Sequence, residues 1–221
     1  MKILALSVHP DDETFGCGGT LLKHAAKGDE VHWLILTAAT ESIGYDRAFV
    51  EKRAVQIDAV SKAYGFKTVH QLGFPAARLH SSDFGEIVRK IQDVLNSVRP
   101  DTVYTVNRSD VHSDHQVAAK AFFSAAKVFK TPFIKSVLMY ECLSETEAAP
   151  PLPENMFLPN VYSDVEKFWD KKVEITKIYE SEVQPSPLPR SIDAMTAQAR
   201  FRGAAACIKY AEAFMLIREI F

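Results

Sequence analysis

The chain has 221 residues, 47% hydrophobic and 24% charged, enough apolar material for one packed domain of residues 1–221 and too much for a disordered polymer. A formal net charge of −2 with no basic tail gives no general attraction to phosphate backbones or anionic lipid, so neither nucleic acid nor a membrane surface is an expected partner. Cys17, Cys142 and Cys207 are odd in number and form no C-x-x-C pair, which argues against a disulfide framework or a thiolate zinc site and fits a cytoplasmic setting.

The opening "KILALSV" (2–8) reads as a buried strand, because it runs into the charged "HPDDE" with neither a longer apolar region nor a small-residue cleavage site. A helix is expected over 14–28, a second strand over 30–38, a helix over 46–65 ending at Gly65, and a strand over 67–72. Residues 83–98 read as a helix, 101–107 as a strand, 112–129 as a helix and 133–142 as a strand, followed by a proline-rich loop over 147–160. Two closing helices are expected over 164–182 and 191–214. Alternating strands and helices predict an α/β, Rossmann-like, mostly parallel sheet with helices on both faces. No run of about 18 apolar residues is present, so no stable membrane insertion is expected.

Parallel sheets place ligand sites where strands end and helices begin, and two such junctions carry polar chemistry. His9, Asp11 and Asp12 follow the first strand. "DVHSDHQ" (110–116) follows the 101–107 strand, with Ser113 and Gln116 at capping-box spacing, His112 just outside the helix and His115 in its first turn. Histidine and carboxylate without cysteine are the donors of a catalytic zinc that keeps one position for water. Neighbouring side chains point apart, so only one of Asp11 and Asp12, and one of His112 and His115, is expected on the ion. A lone aspartate here reads as a helix cap and a lone histidine as a solvated residue. Two clusters at two junctions point instead to a site.

Gly16, Gly18 and Gly19 lack the third glycine of a dinucleotide fingerprint, since Leu21 stands in its place. They read as close packing of the helix, or as close approach of a ligand. A phosphate on the helix N-terminus is the alternative.

Together, "VHPDDE" (8–13) and "HSDH" (112–115) resemble the LmbE / PIG-L superfamily of zinc-dependent N-deacetylases, whose motifs are typically A-H-P-D-D-E and H-x-D-H or H-x-x-H. Val8 stands where alanine is usual and Ser113 where proline is common. Residues 157–182 and 200–214 resemble the C-terminal half of bacterial members, so the likeness spans nearly the whole chain. The resemblance implies that His9, Asp12 and His115 bind zinc and that Asp11 is the general base. It further implies that His112 acts as acid or oxyanion stabiliser, with Asp114 orienting it. Ferrous iron also suits such a donor set. If one ion is shared, the imidazoles of His9 and His115 must come within about 5 Å.

The superfamily mostly removes acetyl from N-acetylglucosamine units carrying a lipid, a thiol-forming aglycone, a nucleotide or another sugar, so a small N-acetylated sugar is the expected substrate. Arg53 and Arg108 are candidate substrate contacts for an anionic group, whereas Trp33 and Trp169 fit packing better than a sugar platform. Two other readings stand beside this one: an amidase acting on a thiol S-conjugate, and a non-catalytic nucleotide- or phosphate-binding module using "FGCGGT". Homo-oligomer formation is compatible with any of them.

Overall fold

The computed structural model describes residues 1–221. Strands β1 (Lys2–Ser7), β2 (Glu30–Ala38), β3 (Thr68–Pro75), β4 (Thr102–Val106), β5 (Ser136–Tyr140), β6 (Val161–Asp164) and β7 (Ala211–Glu219) form one sheet in the order β3-β2-β1-β4-β5-β7-β6. The first five run parallel, and β7 is antiparallel to both β5 and β6. Helices α1 (Asp12–Ala26), α2 (Arg47–Tyr64), α3 (Phe84–Val98), α4 (Ser113–Ala125), α5 (Trp169–Thr176) and α6 (Ile192–Ala205) cover it. Right-handed crossovers put α1 and α2 on one face and α3 and α4 on the other, and within each pair the helices touch. No helix is long and apolar enough to cross a membrane.

Sandwiched strands must be apolar on both sides, which is why Ile3 to Leu6 and Val31 to Leu36 are buried almost without interruption. Trp33 lies in the main core and Trp169 in a smaller cluster with Phe15, Cys142, Val165 and Met195, so both tryptophans pack as expected.

The chain builds β1, β2 and β3 outward in one direction, then returns to lay β4 on the other side of β1. The connections leaving β1 and β4 therefore diverge over neighbouring strand ends, opening a crevice at this switch point.

The C-terminal third departs from the expected pattern. Residues 191–214 do not form one helix: α6 stops at Ala205 and the chain turns back into β7, with Cys207 at φ 56°. The alanine-rich stretch favours helix, but Ala211 to Phe214 is buried between β5 and β6, with Ala211, Ala213 and Phe214 apolar around the paired Glu212, and such short segments look alike in sequence whether strand or helix. Strand β6 was not anticipated either. The helix expected over 164–182 is reduced to α5, and α4 ends at Ala125 rather than 129.

Candidate metal centre and active site

β1 ends at Ser7, and the next five residues bring His9, Asp11 and Asp12 over the switch point. Asp12 opens α1, and its Oδ2 accepts the backbone amides of Val8 and His9, both at 2.9 Å. This locks the carboxylate in place, with Oδ1 facing His115 Nε2 at 3.4 Å and accepting the Cys142 thiol at 3.5 Å. After β4, the turn through Asp110 leads into α4, whose first turn carries His115. His115 Nδ1 lies 2.9 Å from Asp110 Oδ2, so in the neutral ring the proton is held there and Nε2 presents a lone pair. That Nε2 is fully buried and has no hydrogen-bond partner. Burial works against charge on this imidazole, yet Asp12 and Asp110 on either side hold it well above its usual pKa. Two acids around one sequestered ring call for positive charge at that point.

A divalent cation fits this demand. The donor atoms of His9, Asp12 and His115 all lie within 4.8 Å of one another. The His9 and His115 ring centroids are 5.4 Å apart, slightly beyond the expected 5 Å, but the donor nitrogens sit at the ring edges, inside that distance. The buried carboxylate behind His115 is the usual outer support of a metal-binding imidazole.

Asp11 and Asp12 do point apart. Asp11 stands at the head of α1 without capping it, so the cap reading fails for this residue. It lines a cavity of about 190 Å³ together with His9, His112, Arg53, Glu182 and Arg190. Arg190 Nη1 donates to Asp11 Oδ2 at 2.9 Å, whereas Oδ1 is buried without a partner. Burial, reinforced by the neighbouring Asp12 and opposed by Arg190, pushes the Asp11 carboxyl up to about 7. Burial alone would also raise Asp12, but His115 and His9 outweigh it and hold that carboxylate far below the usual range.

Two expectations about the second motif change. Its helix is capped by His112, whose Nδ1 accepts the Asp114 amide at 3.1 Å, and Gln116 turns to the Asp110 carbonyl, so no Ser113–Gln116 capping box forms. The Asp114 carboxylate reaches His9 Nε2 at 3.3 Å and accepts the Leu79 amide at 2.9 Å, so it orients His9 rather than His112. The first turn of α4 carries its side chain across the crevice. Burial, with His9 and His115 nearby, keeps His112 below its usual pKa, against the pull of Asp114.

Arg53 lines the cavity, donating to the Pro10 carbonyl at 2.8 Å and pairing closely with Glu182. Arg108 is exposed and outside the cavity wall, because the turn after β4 faces it to solvent. Arg190, Glu182 and Asp110 were not singled out from the sequence. Asp110 sat unassigned inside the quoted motif, and the proline-rich "QPSPLPRS" around Arg190 carries no catalytic spacing. The glycines face protein rather than ligand: a Cβ on Gly16 would collide with the Tyr140 ring, and those on Gly18 and Gly19 with Tyr64 and Val165. That removes the phosphate-cradle reading.

A parallel sheet whose switch point gathers histidines and a carboxylate able to hold a metal ion, with a second acid on the cavity wall, has the architecture of an α/β hydrolase of the metal-dependent kind. Residues 4–126 match the family model described as PIG-L: GlcNAc-PI de-N-acetylase, and the chain belongs to that family. It is 26% identical over 185 residues to the uncharacterized deacetylase YaiS of Escherichia coli (strain K12), covering 81% of this chain and 90% of that one. It is 25% identical over 197 residues to a probable N-acetyl-alpha-D-glucosaminyl L-malate deacetylase 2 of Bacillus anthracis, covering 81% and 80%. The crystal structure of the conserved protein TT1542 from Thermus thermophilus superposes with a TM-score of 0.78 at 25% identity, covering 99% of this chain and 96% of that one.

Proposed function

We propose that the chain hydrolyses the acetamide of an N-acetylglucosamine-type sugar or its conjugate, using zinc held by His9, Asp12 and His115. The observation that carries the reading is the His115 Nε2, fully buried and unpartnered, with its opposite nitrogen tied to Asp110 and the Asp12 carboxylate before it. The relatives named as deacetylases support the reaction, and the one named for N-acetyl-alpha-D-glucosaminyl L-malate supports an N-acetylglucosamine-type sugar.

A zinc ion held by His9, Asp12 and His115 would supply Lewis acidity to the amide carbonyl and lower the pKa of water there to about 7. Asp11 takes the proton from the attacking water and delivers it to the departing amine, a task suited to a carboxyl poised near 7. Arg190 keeps Asp11 aimed at the cavity. Because His112 Nδ1 accepts the Asp114 amide, its proton sits on Nε2, from which the neutral ring donates to the oxyanion of the tetrahedral intermediate. Asp114 fixes the orientation of His9. The free thiols of Cys17, Cys142 and Cys207 support a cytoplasmic setting.

The test is metal removal. Protein stripped with a chelator, then reloaded with zinc or ferrous iron, is assayed for acetate release from N-acetylglucosamine, N,N′-diacetylchitobiose and N-acetylglucosaminyl malate. Activity is expected to vanish on stripping and return with metal. Acetate release indifferent to chelation, or release from no substrate, overturns the reading.

A further inference from the structure

The cavity beside Asp11 has two arginines, and an arginine in a sugar pocket is ordinarily the place to seek a phosphate or carboxylate on the substrate. Here neither is free. Arg53 donates to the Pro10 carbonyl at 2.8 Å and to Ser181 Oγ at 3.3 Å, and pairs with Glu182. Arg190 donates through Nε to Ser144 Oγ at 2.9 Å and through Nη2 to Glu145 at 3.3 Å. Its Nη1 is shared by Asp11 at 2.9 Å and Glu182 at 3.4 Å. Even with Asp11 protonated, Glu182 and Glu145 match both guanidinium groups. A divalent cation held by His9, Asp12 and His115 would have its two charges balanced by the carboxylates of Asp12 and of Asp114 behind His9. The neighbouring cations on α2 are also engaged, Arg47 with Glu51 at 2.8 Å and Lys52 with Glu180 at 3.1 Å. Arg78 is exposed and outside the cavity wall.

We infer that this cavity, on the deacetylase reading above, takes an N-acetylated amino sugar whose remaining substituents are uncharged, and discriminates against phosphorylated or carboxylated conjugates. A phosphate offers only acceptors, and here it would meet donors already committed and two carboxylates that repel it. A hydroxyl both donates and accepts, so it can bridge an arginine–glutamate pair without breaking it. The other wall suits the apolar face of a sugar ring: Tyr45 and Phe49 stack with centroids 5.4 Å apart, beside Pro10 and Ala39. At about 190 Å³ the cavity is below the roughly 300–1,000 Å³ of ordinary small-molecule clefts, which favours one sugar ring over an extended conjugate.

The experiment compares kcat/KM of the metal-loaded enzyme on methyl N-acetylglucosaminide and N-acetylglucosamine with that on N-acetylglucosamine 1-phosphate and 6-phosphate. The uncharged substrates are expected to lead by at least tenfold. In Glu182→Gln, which releases Arg53 from its acid, the lead is expected to shrink about tenfold through improved KM for the phosphates. A wild-type lead below tenfold, or a ratio unmoved by Glu182→Gln, overturns this inference while leaving the deacetylase reading standing. Acetate release from none of the four overturns both.

Discussion

Asp11 is held where its side chain cannot serve α1. Its backbone sits at φ 149° and ψ −28°, outside the regions that L-residues favour. The buried Glu13 secures that geometry by accepting the Asp11 amide at 3.1 Å, and is itself tied to Ser7 at 3.1 Å, Thr14 at 2.7 Å and the Tyr179 hydroxyl at 2.9 Å. Asp12, one residue on, points the other way into the cluster with His115. The two acids should therefore fail differently. Asp11→Asn is expected to retain its metal and lose about 10²- to 10⁴-fold in turnover, while His115→Ala loses the metal itself. Metal content by mass spectrometry, read beside acetate release, checks both; equal metal loss in the two variants would contradict the assignment. The proposed ligands were legible as candidates because each lies in a contiguous motif at a strand end. The partners of those residues were not: Asp110, Arg190 and the Asp114–His9 contact depend on which way side chains turn after the chain has folded.

Helix α1 is built to lie unusually close to its neighbours. Gly16 faces the Tyr140 ring, whose hydroxyl donates to the Leu6 carbonyl at 2.8 Å in the strand that leads into the site. Farther along, Glu212 of β7 accepts the amides of Gly19 and Thr20, each at 2.7 Å, and pairs with the buried Lys172, which donates to the Phe15 carbonyl at 2.9 Å. A methyl at Gly16 gains up to about 1 kcal/mol in helix propensity but overpacks the ring at a cost of roughly 1–3 kcal/mol, more if the tyrosine cannot move. Gly16→Ala is therefore expected to lower the urea midpoint. A midpoint that rises would show that the ring contact does not limit this helix. The parallel half of the sheet was readable from its apolar runs and glycine stops. The antiparallel end was not, because β7 owes its strand form to slots on β5 and β6 rather than to its own alanine-rich approach.

At the scale of the whole molecule, stability should vary with pH through groups remote from the site. His24, at the end of α1, bridges Asp29 at 2.7 Å and the Tyr104 hydroxyl of β4 at 2.9 Å. Burial holds it below the usual imidazole pKa despite the opposing pull of Asp29. A depressed folded-state value means that the unfolded chain binds the proton first. Stability is thus complete above the unfolded value near 6.5 and falls as pH drops through it toward the folded one. Urea denaturation at about pH 7.5 and 5.5 should show a shallower decline for His24→Gln than for the parent chain. Identical slopes would remove His24 from this account.

By itself the order of residues determined which segments become parallel strands, where their ends fall, and that histidines and aspartates gather at two of those ends. Spacing along a chain encodes periodicity and local turns, and these are short-range properties. Only the tertiary structure decided that β1 and β4 are neighbours, that Asp114 serves His9, and that a distant proline-rich loop delivers Arg190 to Asp11. It also decided that the arginines beside the cavity are already matched by acids. Most of these pairings join residues about a hundred or more positions apart, and no local pattern constrains them until the sheet has set the distances.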